Sequence, residues 1–239
     1  MRRNQQQLTN RRPLVIAHRG ASAGQPENTA AAFRRALELG VDAIELDVQV
    51  SRDGVPFVFH DQSLRRLTGV VGRAAARPWA ELARLRIGGT DPIPRLADVL
   101  RLTRGRAVVQ IELKAGVPVG PVVGAIRSAR AEAGVILASF SPTLVRAAAR
   151  LAPAIPRMLI SDGNRPPATL ARQLSSLHAG GLSVDHHAVR DAAWLQFFQA
   201  RGFAVWCWTV NDPPMMRRLA RWGANGILSD NPALLRRSI

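Results

Sequence analysis

Short apolar runs alternate with amphipathic stretches along almost the whole chain. The apolar runs have the length of strands, and the stretches between them carry apolar residues at helical spacing. The eight predicted strands are Leu14–Ala17, Ala43–Val48, Ala107–Leu113, Val135–Ser139, Arg157–Ile160, Leu182–Val184, Ala204–Val210 and Gly226–Ser229. The seven predicted helices between them are Asn28–Leu39, Leu96–Thr103, Pro121–Ala133, Pro142–Leu151, Thr169–His178, Ala192–Ala200 and Pro213–Trp222. Strict alternation predicts a parallel sheet, and eight such units predict an α/β fold of the (β/α)8 TIM barrel type.

One strand-like run, Pro56–Phe59, breaks this alternation. It follows the predicted strand Ala43–Val48 too closely for a parallel crossover, which needs about a dozen residues. The turn signal Arg52–Gly54 between the two runs predicts a hairpin instead. We therefore expect an extra β-hairpin strand after the second barrel strand, and after it a short inserted loop region at Asp61–Pro94.

The chain has 239 residues and no Gly/Ser-rich or Pro-rich linker, so one barrel domain accounts for its length. We assign this domain to residues 13–239 and a basic N-terminal tail to residues 1–12. The tail lacks the apolar run of a secretory signal, and no run approaches the ~18 apolar residues of a membrane-spanning helix. We expect a cytoplasmic protein without a transmembrane segment, and the sequence leaves the oligomeric state open.

The formal net charge of +16 is the most unusual feature of the composition. A basic excess of this size is found in nucleic-acid-binding and membrane-binding proteins. Here Lys114 is the only lysine among 33 basic residues, and the arginines are scattered among alanines. This pattern indicates a compositional bias rather than a binding face. We therefore expect a small-molecule partner, with no nucleic acid.

Acidic residues stand at the ends of two neighbouring predicted strands. Glu45 and Asp47 are two positions apart and share a face, and Glu112 has the same place on the next barrel strand. The opposite faces are apolar and must pack on helices, so the three carboxylates point into the barrel. Unpaired buried carboxylates are costly, and a divalent cation would neutralise them. A site of carboxylate oxygens predicts Mg²⁺ or Ca²⁺.

Two histidines, His18 and His60, are expected at the same barrel mouth, where the active sites of such barrels lie. Imidazole titrates near neutral pH, so this pair can serve as general acid and general base. Arg19 and Lys114 add positive charge that suits a phosphate group. A metal, two histidines and two cations together predict metal-dependent phosphoryl transfer.

Eight sequence motifs carry a family resemblance. They are Ala17-His18-Arg19-Gly20, Pro26-Glu27-Asn28-Thr29, Glu45-Leu46-Asp47-Val48, Phe59-His60-Asp61, Ile111-Glu112-Leu113-Lys114, Ser139-Phe140-Ser141-Pro142, Trp208-Thr209-Val210-Asn211-Asp212 and Gly226-Ile227-Leu228-Ser229-Asp230-Asn231-Pro232. In order and spacing they resemble the glycerophosphodiester phosphodiesterase family, over about Pro13 to Leu234. The resemblance implies a (β/α)8 barrel that hydrolyses glycerophosphodiesters to glycerol 3-phosphate and an alcohol with a divalent metal.

The resemblance also implies roles for individual residues. His18 and His60 match the acid/base pair, and Arg19 and Lys114 match phosphate-contacting positions. Glu45, Asp47 and Glu112 match the metal ligands, as a set of three carboxylates. Glu27 matches a substrate-binding residue at the edge of the site, which either orients Arg19 or touches the ligand, and Trp208 matches an aromatic wall near the glycerol end.

Two other functions are compatible with these residues. The same chemistry could act on lysophospholipids, in the manner of a lysophospholipase D. A different class of function is a non-catalytic barrel that binds an anion or a nucleic acid. The attacking group is also open, since it is either water or the substrate's own glycerol hydroxyl, which would give a cyclic phosphate first.

Overall fold

A computed structural model describes residues 12–239 of the chain, so the N-terminal tail predicted at residues 1–12 lies outside the described residues except for its last position. Eight parallel strands close into a barrel, because the first strand pairs with both the second and the last. In barrel order they are β1 Leu14–His18, β2 Ala43–Val50, β6 Val108–Leu113, β7 Val135–Ser139, β8 Arg157–Ser161, β9 Gly181–Asp185, β10 Ala204–Trp208 and β11 Gly226–Ser229. The predicted (β/α)8 fold is confirmed.

Helices surround the barrel and form part of the inserted segment. They are α1 Ala30–Glu38, α2 Arg65–Thr68, α3 Trp79–Leu82, α4 Leu96–Thr103, α5 Val119–Ser128, α6 Pro142–Leu151, α7 Pro167–Ser176, α8 Ala192–Gln199, α9 Pro213–Trp222 and α10 Pro232–Ser238. None of these helices, within residues 12–239, is long and apolar enough to cross a membrane.

Two helix predictions need correction. The final helix, α10, is absent from the predicted set because it is short and gives too little periodicity. Asn231 caps it by accepting a hydrogen bond from the Leu234 amide at 3.0 Å. The predicted helix Pro121–Ala133 begins at Val119 and ends at Ser128, because Arg130 adopts a left-handed conformation with a φ of 50°.

The predicted hairpin strand is present as β3, Pro56–Val58, which pairs antiparallel with the end of β2 outside the ring. The segment 61–94 after it contains α2, α3 and a small hairpin of β4 Arg86–Ile87 and β5 Asp91–Pro92. Together with the region of β3, this segment forms an apolar core that is separate from the barrel core. That core consists of Phe57, Phe59, Leu64, Ala74, Leu82, Ile87 and Ile93.

Side chains of alternating strand positions form two separate apolar layers. Ile44, Leu46 and Ile111 belong to the layer between strands and helices. Ile16 and Trp206 belong to the layer that fills the barrel interior. Because apolar side chains fill the interior of the barrel, the polar residues at the strand ends lie at its carboxyl-terminal mouth.

Candidate active site

His18, the last residue of β1, is held by a carboxylate from the far end of the chain. Its Nδ1 lies 2.7 Å from Oδ1 of Asp230, which follows β11. The pairing of β1 with β11 brings these residues together. Asp230 is itself supported by neutral groups, since the Asn211 amide donates to its Oδ2 at 2.6 Å and the Ser22 hydroxyl lies 3.1 Å from its Oδ1. The other ring nitrogen, Nε2, lies 3.9 Å from Oε2 of Glu45.

His60 is held in a similar way by its neighbour in sequence. Its Nδ1 lies 2.7 Å from Oδ1 of Asp61. Arg66 donates to both oxygens of Asp61, from Nε at 2.6 Å and from Nη2 at 2.9 Å. The same guanidinium donates to both oxygens of Glu27, at 2.9 and 2.8 Å. Thus the carboxylate beside His60 is paired with a cation, whereas the carboxylate beside His18 has no arginine or lysine partner among residues 12–239.

The predicted acidic residues meet at the mouth between β2 and β6. Glu45, Asp47 and Glu112 each offer a carboxylate oxygen, and these oxygens lie within 4.8 Å of one another. The parallel register opposes Asp47 directly to Glu112. Lys114 Nζ bridges the same two residues, at 3.2 Å from Asp47 Oδ1 and 2.7 Å from Glu112 Oε1.

The protonation of the cluster reflects crowded negative charge. Burial and the neighbouring Asp47 raise the pKa of Glu45 to about 8. The pKa of Glu112 is raised by the same two causes. Although burial acts in the opposite direction, Lys114 and Arg19 hold the pKa of Asp47 below its usual value. The protein's own cations therefore do not suffice to ionise all three carboxylates, and the set of hard oxygen ligands fits a divalent cation.

The position of the Arg19 side chain is set by its backbone conformation as well as by its ion pairs. It adopts a left-handed conformation with a φ of 56°, and its amide donates to Glu45 Oε2 at 3.1 Å. Its guanidinium contacts Glu27 at 3.0 Å through Nη1 and Asp47 at 3.3 Å through Nε. The Asn28 amide group donates to Asp47 at 2.8 Å from the next turn of this loop. These contacts fix the loop that follows β1 to the acidic cluster.

These groups line one cavity of about 180 Å³. Its wall consists of His18, Arg19, Glu45, His60, Gln110, Glu112, Lys114, Phe140, Ile160, Ser183, Trp208, Thr209 and Leu228. Phe140 packs edge-on against Trp208, with ring centroids 5.7 Å apart. A larger depression of about 390 Å³ lies at the opposite end of β6 and β7 and contains none of the predicted site residues.

Most predicted site residues therefore line one cavity. The other two, Asp47 and Glu27, contact residues of its wall. Asp47 lies behind the wall, in contact with Arg19 and Lys114. Glu27 lies behind Arg19 and lines an adjoining pocket. Sequence reasoning missed the roles of Asp61 and Arg66 at this site.

Other buried groups of the site had weak sequence signals. Gln110 shares its strand face with Glu112, is 1% exposed, and has an Oε1 atom without a hydrogen-bond partner among the residues of the described chain. Asn28 is fully buried and holds Asp47. Its place in the Pro26–Thr29 motif was the signal that could have identified it.

Comparisons with known proteins agree with this geometry. The profile of the glycerophosphoryl diester phosphodiesterase family matches residues 18–234. A glycerophosphodiester phosphodiesterase of Caldanaerobacter subterraneus subsp. tengcongensis is 33% identical, over 93% of this chain and 96% of that protein. A probable glycerophosphodiester phosphodiesterase of Mycobacterium tuberculosis is 30% identical, over 93% of this chain and 89% of that protein.

Solved structures show the same likeness. An Oleispira antarctica phosphodiesterase, solved with the product sn-glycerol-3-phosphate, superimposes with a TM-score of 0.88 at 28% identity, over 95% of this chain and 96% of that one. An Agrobacterium tumefaciens glycerophosphodiester phosphodiesterase gives a TM-score of 0.84 at 29% identity, over 94% and 99%. The barrel fold and these relatives together define a phosphoric diester hydrolase. The chain belongs to the glycerophosphoryl diester phosphodiesterase family.

Proposed function

We propose that this protein hydrolyses glycerophosphodiesters to glycerol 3-phosphate and an alcohol, with a divalent metal and a pair of histidines. One observation carries the proposal. Two histidines, each with Nδ1 fixed by a carboxylate at 2.7 Å, line the same cavity as carboxylates of an acidic cluster. This combination of proton-transfer groups and metal ligands suits phosphodiester hydrolysis.

Glu45, Asp47 and Glu112 would hold the metal, for which we propose Mg²⁺ or Ca²⁺. When bound, such a cation supplies Lewis-acid stabilisation of the negative charge on the phosphoryl group. Lys114 and Arg19 line the same space and add positive charge there. We assign both cations to the non-bridging phosphate oxygens, which they approach while still paired with carboxylates.

The histidines carry out the proton transfers. Fixing Nδ1 of each ring leaves Nε2 to face the substrate. One ring removes a proton from the attacking hydroxyl, and the other donates a proton to the leaving alcohol oxygen. The attacking hydroxyl belongs either to water or to the glycerol itself. Detection of a cyclic glycerol phosphate during turnover distinguishes these two routes.

The remaining residues of the cavity wall suit the glycerol end. Trp208 and Leu228 offer apolar surface, while Gln110 offers a buried acceptor without a partner in the described chain. Glycerol has both carbon and hydroxyl surface and matches this mixture. The complex of the Oleispira antarctica phosphodiesterase with sn-glycerol-3-phosphate supports the same choice of product.

A second candidate substrate is a lysophospholipid. Its specific support is Phe140, an apolar side chain that is 49% exposed at the rim beside Trp208. An acyl chain could lie on such a surface. A lysophospholipid has one free glycerol hydroxyl fewer to donate to the buried acceptor of Gln110, because an ester oxygen cannot donate a hydrogen bond. We therefore rank glycerophosphodiesters first.

The test is an assay of the purified protein with glycerophosphocholine and, in parallel, lysophosphatidylcholine. EDTA is added first, and Mg²⁺ or Ca²⁺ is then restored. Metal-restored release of glycerol 3-phosphate from glycerophosphocholine is the expected result. Preferential cleavage of lysophosphatidylcholine would transfer the proposal to the second substrate, and no metal-restored cleavage of either would refute it. The cytoplasmic location, the absence of a nucleic-acid partner and the domain limits 13–239 stay predictions from the sequence.

A further inference from the structure

The guanidinium of Arg66 joins two loops that come from different parts of the chain. It forms two hydrogen bonds to Asp61, at 2.6 and 2.9 Å. It forms two more to Glu27, at 2.9 and 2.8 Å. These four bonds use four of the five N–H donors of the arginine fork, and a lysine with three donors could not replace them.

Each of these carboxylates also holds a residue of the proposed mechanism. Asp61 lies 2.7 Å from Nδ1 of His60. Glu27 lies 3.0 Å from Nη1 of Arg19. Arg66 is therefore one contact away from a proposed proton-transfer group and one contact away from a proposed phosphate ligand.

The helix that carries Arg66 is anchored in the apolar core of the inserted segment 61–94. Arg66 lies on α2, between Leu64, which is fully buried in the segment's own apolar core, and Leu67, which packs against that core. The neighbouring Arg65 is exposed, and its side chain forms no hydrogen bond or ion pair within residues 12–239. Two adjacent arginines on one short helix thus differ completely in their contacts.

We propose that Arg66 is a positioning residue, which holds His60 through Asp61 and Arg19 through Glu27, and that supplying it is the role of the inserted segment. The inference rests on the proposed function of His60 and Arg19. It assigns a function to a segment that lies outside the barrel ring and contributes no wall residue to the catalytic cavity.

The physical expectation separates activity from stability. Arg66 is half exposed, and exposed ion pairs contribute little to folding. In contrast, a displacement of a reacting group by about 1 Å can cost roughly 100-fold in rate. Loss of Arg66 should therefore lower turnover strongly while leaving the thermal midpoint almost unchanged.

The experiment compares Arg66→Ala with Arg65→Ala, using glycerophosphocholine and restored Mg²⁺. We expect Arg66→Ala to lower kcat by about 10- to 100-fold and to raise KM. The Arg65→Ala control removes the same charge from the next position and should stay within about twofold of the wild type.

Two double-mutant cycles separate the effect of Arg66 on His60, through Asp61, from its effect on Arg19, through Glu27. In an Asp61→Asn background, the further loss of Arg66 should change kcat by less than about twofold, because its route to His60 is already broken. In a Glu27→Gln background, the further loss should leave KM almost unchanged. A purely structural role would instead lower the thermal midpoint of Arg66→Ala and leave kcat and KM of the folded protein unchanged.

A second variant keeps the inference testable if Arg66→Ala folds poorly, and a rescue experiment tests it if Arg66→Ala folds. Arg66→Lys keeps the positive charge but not the planar fork of donors. Its kcat should therefore fall by most of the factor seen in Arg66→Ala. Methylguanidinium added to a folded Arg66→Ala sample should restore part of kcat, but none in Arg65→Ala.

The failures of the two proposals are distinguishable. An active wild type whose Arg66→Ala or Arg66→Lys variant behaves like Arg65→Ala overturns this inference and leaves the proposed function intact. A folded wild type without metal-restored release of glycerol 3-phosphate overturns the proposed function and, with it, this inference.

Discussion

His18 and His60 each direct Nδ1 to a carboxylate oxygen at 2.7 Å, yet the two carboxylates differ in what else they contact. Asp61 shares both oxygens with Arg66, which lowers the pKa of Asp61 to about 2. Against the effect of burial, the hydrogen bond to His18 lowers the pKa of Asp230 to about 2 as well, so the two carboxylates differ in their partners and not in their pKa. Asp230 accepts instead from the neutral Asn211 amide and lies beside the Ser22 hydroxyl. A carboxylate whose charge is already paired does less to stabilise a protonated ring than one with neutral partners.

This difference assigns separate roles to the two rings. Burial lowers the pKa of His18, but the hydrogen bond to Asp230 and the charge of Glu45 outweigh it, so the pKa is raised. A raised pKa means that His18 keeps its proton to a higher pH. We therefore expect His18 to be the general acid and His60 the general base.

The largest predicted effect distinguishes the two roles directly. His18→Ala and His60→Ala should each lower kcat on glycerophosphocholine by about 10²- to 10⁴-fold. With glycero-p-nitrophenyl phosphate, whose leaving group needs no proton, His18→Ala should recover most of its activity and His60→Ala should not. Steady-state rates on both substrates are the measurement, and recovery of His60→Ala instead would reverse the assignment.

A second prediction concerns metal binding beside His18. Because the pKa of Glu45 is raised to about 8, metal binding must displace its proton at lower pH. The apparent affinity for Ca²⁺ should rise by about tenfold per pH unit between pH 6 and 8, with release of about one proton. Calorimetry in buffers of different ionisation enthalpy measures both quantities. In Glu45→Gln the pH dependence should be weaker, because Glu112 is then the remaining ligand with a raised pKa, and a pH-independent wild type would contradict the prediction.

A third prediction follows from the charge of Asp230. Asp230→Asn removes a charge-assisted hydrogen bond to His18, and it should lower kcat by about 10- to 100-fold. Because the raised pKa of His18 depends on Asp230, the substitution lowers it. A general acid must be protonated, so the high-pH limb of the rate profile should move to lower pH. A profile that loses amplitude without moving would show that Asp230 only orients the ring.

The sequence alone predicted the residues on the strands better than the contacts between distant segments. The period of two along β2 and β6 places Glu45, Asp47 and Glu112 on inner faces, and the parallel register then brings them together. The hairpin strand β3 was predictable from a turn signal and a short connection. Local rules sufficed because these features depend on neighbouring positions.

Contacts that depend on closure of the barrel had no comparable signal. His18 and Asp230 are 212 positions apart, and only the pairing of β1 with β11 makes them neighbours. Arg66 lies on a helix of four residues, which is too short for any periodic pattern. Nothing in the sequence distinguishes its contacts from those of Arg65, since both are arginines in one short polar stretch. The difference arises from how the inserted segment packs.

The smallest predicted effect tests whether the neutral support of Asp230 matters. The Ser22 hydroxyl lies 3.1 Å from Asp230 Oδ1 and 2.8 Å from the His18 carbonyl oxygen. Ser22→Ala should lower kcat by about two- to fivefold, the size expected for one neutral hydrogen bond, and should leave KM unchanged. Ser63→Ala is the matched control on the His60 side, because within the described part of the chain the Ser63 hydroxyl contacts the Arg65 amide alone, from which it accepts at 3.3 Å. If Ser22→Ala behaves like Ser63→Ala, the Ser22 hydroxyl does not help to position Asp230. The Asn211 amide is then the one neutral donor that holds Asp230 beside His18.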